Sequence, residues 1–195
     1  MARRWFKGNL HTHTNNSDGD SPPAAVVRWY RDAGYDFLAL TDHDMVTLPD
    51  DYRILAGAME LIHGEEITAG DIHMNALGIR RDIAPARMPT ERMTLDRNAA
   101  NVREQGGVPA INHPNFRWAV RQTDVEPLSN IGVFEVYNAG PEKTMAGVPT
   151  TVLRSSCGTA CSAWASGWSV SRPMTPTSSP GGAASIATLA APGST

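Results

Sequence analysis

The chain has 195 residues, a formal net charge of -3 and 41% hydrophobic residues, which suits one globular domain with a real core. That charge gives no basic footprint for nucleic acid, no apolar run is long enough to span a bilayer, and the two cysteines, Cys157 and Cys161, are too few for a disulfide framework and read as incidental thiols. The charged start at residues 1–7 has no apolar stretch behind it, so no signal peptide is expected and the cytoplasm is the expected compartment.

In chain order, residues 5–11 read as a short strand. Ser21-Pro22-Pro23 reads as a helix start, with Ser21 as N-cap and proline in the first turn. The helix runs to about Ala33 and stops at Gly34. The apolar run at 36–41 is a buried strand. Residues 60–68 and 71–78 read as two strands around Ala69-Gly70. Residues 90–105 are helical and stop at Gly106-Gly107, and 108–112 and 132–137 are further strands. Strands alternating with helices argue for an α/β domain with a largely parallel sheet.

The composition changes near residue 150. All 20 Asp and Glu and all six His lie before that point. Residues 150–195 are rich in Ser, Thr, Ala, Gly and Pro, and their apolar positions keep no period of 2 or 3.6. Such a composition reads as a poorly structured tail, although Trp164 and Trp168 are unusual in one.

The polar residues of the body gather where strands are expected to end. His11-Thr12-His13 closes the first strand, where alternation sends both imidazoles to one face. Asp18 follows in a Ser17-Asp18-Gly19 turn. Thr41-Asp42-His43-Asp44 and Gly64-Glu65-Glu66 close the next two strands, His73 opens another, and Asn112-His113-Pro114 closes a later one. In parallel α/β folds the carboxyl ends of strands converge on one rim, where sites are built. Imidazoles and carboxylates brought there from separate strands are the donors that a divalent-metal cluster uses. Each also has a plainer reading. Asp18 fits an Asx turn, Asp42 and Asp44 fit loop charges or supports for His43, and Glu65 and Glu66 cannot both face the rim of a regular strand. His63 lacks a motif partner and reads as structural.

Taken together, Gly8-Asn9-Leu10-His11-Thr12-His13-Thr14, Ser17-Asp18-Gly19, Ala39-Leu40-Thr41-Asp42-His43-Asp44, Gly64-Glu65-Glu66-Ile67-Thr68, His73 before Ala76-Leu77-Gly78, and Asn112-His113-Pro114-Asn115 resemble the motifs of the PHP family, named for polymerase and histidinol phosphatase domains. The lead-in Trp5-Phe6-Lys7-Gly8 looks most like its carbaryl-hydrolase-like branch. The resemblance covers residues 5–149. It implies a distorted TIM-like barrel of seven strands and α/β class, incomplete here, with residues 1–149 as the metallohydrolase domain. It also implies two or three divalent ions (Mn, Zn or Fe) held by His11, His13, Asp18, His43, Glu66, His73 and His113. Glu66 is preferred to Glu65 because the family's glutamate is the third residue of its motif. Phosphate-facing loops place Asn16 and Asn115 as substrate-binding residues.

The resemblance implies a phosphoesterase that hydrolyses a small-molecule phosphate ester with a metal-bound hydroxide. The family closes its site with a late Asp-x-His motif, and this chain has neither Asp nor His after Glu142, so activity is expected to be impaired. Hydrolysis of a carbamate or carboxylic ester, or metal binding without catalysis, are the alternatives. A reading-frame change would explain the loss. Read from the third base of each codon, Met174-Thr175 must give Asp, and with freely chosen wobble bases residues 172–177 can give Ser-Asp-Asp-Ala-His. Residues 150–195 are therefore read as a frameshifted tail in preference to a naturally divergent one.

Overall fold

A computed structural model of the chain describes residues 5–114, 116–135 and 138. The expectations for residues 150–195, including the tail, its frame and both cysteines, lie outside the described residues. Seven strands are described: β1 (Gly8–Asn9), β2 (Phe37–Ala39), β3 (Glu60–Ile62), β4 (Gly64–Ala69), β5 (Ile72–Leu77), β6 (Val108–Ile111) and β7 (Val133–Phe134). Helices α1 (Pro23–Asp32), α2 (Arg53–Ala56), α3 (Glu91–Glu104) and α4 (Gln122–Val125) lie between them. None of the described helices is long and apolar enough to cross a membrane.

The strands form two hydrogen-bonded sheets, ordered β1-β2-β3 and β4-β5-β6-β7. The first is parallel. In the second, β4-β5 and β5-β6 are antiparallel and only β6-β7 is parallel. The fold is thus mixed α/β, which corrects the expectation of a largely parallel sheet: residues 60–77 turn back on themselves at Gly70 instead of crossing over through a helix. Among the described residues the seven strands do not close into one ring, so the barrel expected from the resemblance is reached only in part.

The two sheets are joined by one continuous run. Residues 60–62 pair with β2, and residues 64–69 pair with β5. The run changes partner at His63, whose carbonyl accepts from the Gly78 N–H at 2.7 Å. Gly64 permits the change, because a Cβ there would lie 3.0 Å from the Ala76 carbonyl oxygen and 3.3 Å from the Thr41 methyl. Beyond the switch, Glu66 still touches the segment after β2 through an isolated parallel bridge to His43. Glu66 therefore sits inside β4, not at a strand end as expected.

Side-chain alternation divides each strand between two faces. Leu38 and Leu40 face Val26, Val27 and Tyr30 of α1, while Ala39 between them faces a shared interior. In β5, Ile72, Met74 and Ala76 join Ile67, Leu95, Ala99, Val102 and Ile111 in the core under α3. The alternate residues His73, Asn75 and Leu77 point the other way. That inner face is apolar at one end, where Ala39, Leu77 and Ala110 pack with Leu10, Ile62 and Val133. These side chains come from or beside strands of both sheets, so the sheets curl around one interior. At its other end the same face turns polar.

Two local expectations are corrected. The strand expected over residues 5–11 is only two residues long, because the Asn9 side-chain oxygen accepts the His11 N–H at 3.2 Å and draws the chain away from β2. Within that short pairing Gly8 is required, since a Cβ would lie 2.0 Å from the Phe37 ring. Helix α1 is capped by Pro22 rather than Ser21. A residue before proline is driven to extended backbone, and Pro22, with ψ 150, cannot begin the helix that Pro23 opens. The Ser21 hydroxyl instead donates to Asp20 at 3.0 Å. Helix α3 begins as expected, with the Thr90 hydroxyl accepting from the Met93 N–H.

Candidate metal centre

The polar end of the interior is organised around Glu66, which is 1% exposed. Its Oε2 lies 3.2 Å from His11 Nε2, 3.0 Å from His13 Nε2 and 3.4 Å from His43 Nδ1. Its Oε1 lies 3.1 Å from both His73 Nδ1 and His113 Nε2, and accepts from the Asn112 amide at 2.8 Å. One carboxylate thus meets five imidazoles delivered by separate segments. His11 and His13 follow β1, His43 follows β2, His73 is the second residue of β5, and His113 follows β6. Asp18 closes the outer side, 3.3 Å from His13 Nδ1 and 3.5 Å from His43 Nε2. Asp18 is 68% exposed and His43 24%, so the cluster opens to solvent on this side and is buried on the other.

The seven residues singled out in the sequence are therefore brought together. Among the described residues, three sets have donor atoms close enough to share one cation: His11-His13-Glu66, His13-Asp18-His43 and His43-Glu66-His73. His13, His43 and Glu66 each belong to two sets. The donor chemistry fits a divalent metal. His11 Nε2 and His13 Nε2 lie 3.0 Å apart, with carboxylate oxygen beside both, and mixed imidazole and carboxylate donors of this kind are those that divalent metals take.

Electrostatics in the cluster are tightly linked. Burial opposes charge on His11, but Glu66 and Glu135 outweigh it and raise its pKa to about 10. Burial likewise opposes ionisation of Glu66, yet His11, with hydrogen bonds from His113 and His13, holds its pKa well below the usual carboxylate value. His43 and His113 are lowered, chiefly by burial.

Other residues build the frame. Asp42, fully buried, accepts from the Thr14 N–H and the Ser17 hydroxyl at 2.7 Å, from the Thr14 hydroxyl at 2.8 Å, and from the Thr47 hydroxyl. It fixes the loop that carries His13 and Asp18. Asp44 accepts the Thr68 N–H at 2.7 Å, and Thr68 in turn meets His43 Nδ1 at 2.6 Å. Asn75 links the cluster to the apolar floor, donating to the Leu10 carbonyl and accepting from Asn112, both at 2.8 Å. Glu65 points to the opposite face of β4, where it accepts the Ile83 N–H at 2.7 Å. His63 stands apart, 3.4 Å from Asp50.

Of the two substrate-binding expectations, Asn16 is exposed and its amide donates to the Thr47 hydroxyl at 3.0 Å. Asn115 lies outside the described residues. One site neighbour was not singled out in the sequence. Glu135, which follows β7, lies 3.2 Å from His11 Nδ1. Its signal was available, because it is an acid at the end of an apolar strand, the context shared by the histidines.

No protein-family model matches the chain, and no curated protein matches it. Solved structures do. A two-domain protein from Bacteroides vulgatus containing a predicted PHP-like metal-dependent phosphoesterase matches over 69% of this chain and 45% of its own, at 23% identity and a TM-score of 0.53. A protein from Bifidobacterium adolescentis assigned as a metal-dependent phosphoesterase matches over 67% of this chain and 77% of its own, at 16% identity and a TM-score of 0.54. The chain thus spans less than half of the first of these proteins. At these identities the likeness is one of fold.

Proposed function

We propose that this chain is a metal-dependent hydrolase of small-molecule phosphate esters, with His11, His13, Asp18, His43, Glu66, His73 and His113 as its metal ligands. The observation that carries the reading is the convergence of five imidazoles on the single buried carboxylate of Glu66, with Asp18 at the open side. The shared fold with proteins assigned as metal-dependent phosphoesterases supports the choice of substrate class. Divalent ions bound here would supply the Lewis acidity that polarises a phosphoryl oxygen and lowers the pKa of water. The chain's own part is to hold and orient. Glu66 and the buried histidines fix the floor of the site, Asp42 fixes the His13 loop, and the half-open His43 and Asp18 leave the face that substrate reaches.

The test is metal analysis joined to a substrate panel. Purified chain loaded with manganese or zinc should retain two or more ions and hydrolyse an aryl phosphate. His13→Ala and His43→Ala should each lower turnover by more than the roughly 10–100-fold that losing a supporting residue costs. Less than one ion per chain after loading would refute the metal centre. Turnover of carbamate or carboxylic esters but not phosphates would move the chain to the carbaryl-hydrolase-like reading. Tight metal binding without any turnover would leave a non-catalytic metal-binding protein.

A further inference from the structure

Among the described residues, Glu135 is the one acid of the cluster that none of the three ligand sets contains. It is 9% exposed. Its Oε1 lies 3.2 Å from His11 Nδ1, and its Oε2 accepts the His113 backbone N–H at 2.8 Å. The Asn138 amide reaches both oxygens, at 3.2 and 3.1 Å. Its own backbone N–H donates to the Ile111 carbonyl at 2.8 Å, so β6 and β7 hold it in register.

We propose that Glu135 is a positioning residue of the metal centre: it fixes the His11 ring through Nδ1 so that Nε2 faces the metals, and it ties that ring to the backbone of His113. The inference rests on the metal-centre reading above. Its geometric ground is that the two nitrogens of His11 face opposite ways. Nε2 meets Glu66 and His13, at 3.2 and 3.0 Å, inside the cluster, and Nδ1 meets Glu135 outside it. An imidazole that donates its far N–H to a carboxylate is locked in one tautomer and one orientation, and becomes the better ligand. The second oxygen adds a constraint across the fold. His11 follows β1 of one sheet and His113 follows β6 of the other, so one carboxylate sets the spacing of two ligand segments.

The test is a double-variant cycle read by cobalt(II) titration of the full chain, with the visible ligand-field spectrum and the melting temperature of the metal-free protein recorded alongside. Glu135→Gln should weaken cobalt affinity about 10–100-fold and change the spectrum, while keeping the ion count at saturation. In a His11→Ala background the same change should cost little, because the ring it positions is gone. Glu135→Asp, which keeps the charge, should retain more affinity than the Gln variant, and it replaces the Gln variant in the cycle if that protein does not fold. Equal losses in both backgrounds would overturn the proposal in favour of a general structural role. Loss of a whole ion from the Gln variant would overturn it by making Glu135 a ligand. If the unaltered chain bound no cobalt, the metal centre itself would fail, and the proposal with it.

Discussion

Glu65 and Glu66 are neighbours in β4, both buried to within 1% exposure, and their surroundings shift their pKa values in opposite directions. Glu66 faces five imidazoles and stays ionised. Glu65 faces the α3 side, where burial raises its pKa to about 7, with Asp82 and Asp44 adding to the effect against the Ile83 N–H bond. Its Oε2 has no partner among the described residues. A folded-state pKa raised above the unfolded value gives stability that is present below the unfolded value and lost as pH rises through the folded one. For Glu65 that window runs from 4.5 to about 7. Glu65→Gln keeps an acceptor for Ile83 and cannot ionise. The variant should therefore melt higher than the parent at pH 8 and level with it near pH 4, with the gap opening between. A gap independent of pH, or a lower melting temperature at pH 8, would show that Glu65 is not the titrating group. Strand alternation made it legible that only one of these acids could face the site. The family motif, not the alternation, chose Glu66. The role of Asp42 was not legible, because four donors from residues 14, 17 and 47 meet it only after the chain has folded.

At the scale of elements, apolar runs bounded by Gly and Pro marked β2, β5, β6 and α3 to within a residue or two. Strand direction and partner were less legible. A run such as 60–69 has the same pattern whether it pairs with β2 or with β5, and it pairs with each in turn. The four-residue helices α2 and α4 were missed because one turn offers no period to detect. Helix α3 shows how much of the site depends on the layer beneath it. Leu95, fully buried, packs in the same cluster as Ile67 and Met74, which flank Glu66 and His73 in sequence. Leu95→Ala should cost about 2–5 kcal/mol, or roughly 2–4 °C of melting temperature per kcal/mol for a chain of this size. Because Ile67 and Met74 lose a neighbour, metal affinity should fall as well. Urea melts of the metal-free protein and a metal titration would read both, and a stability loss under about 1 kcal/mol would show that the cluster collapses to fill the gap.

For the whole molecule, the resemblance foresaw strands around one interior with a site at its end, and the described strands curl in that way without closing. In the metal-free molecule that end carries a proton on His11. His11, raised from 6.5 to about 10, carries a charge between Glu66 and Glu135. By the sign rule for a raised pKa, this stabilisation is complete below 6.5 and is lost as pH rises through about 10. The depressed Glu66 and Glu135 contribute stability above 4.5 that is lost as pH falls below it. A bound divalent ion needs His11 neutral, so it must displace that proton. Two outcomes are expected. Metal binding near pH 8 should release about one proton from His11, read by calorimetry in buffers of different ionisation enthalpy. The rise in melting temperature on adding manganese should grow from about pH 6 to about pH 8.5, because affinity increases as the competing proton becomes scarcer and tighter binding stabilises more. Removing the metal with a chelator should reverse the gain at each pH. If the manganese-induced rise were flat or shrinking over that range, His11 would not be giving up a proton to the metal, and the pairing of His11 with two carboxylates would have to be a structural ion pair instead of a protonated metal ligand.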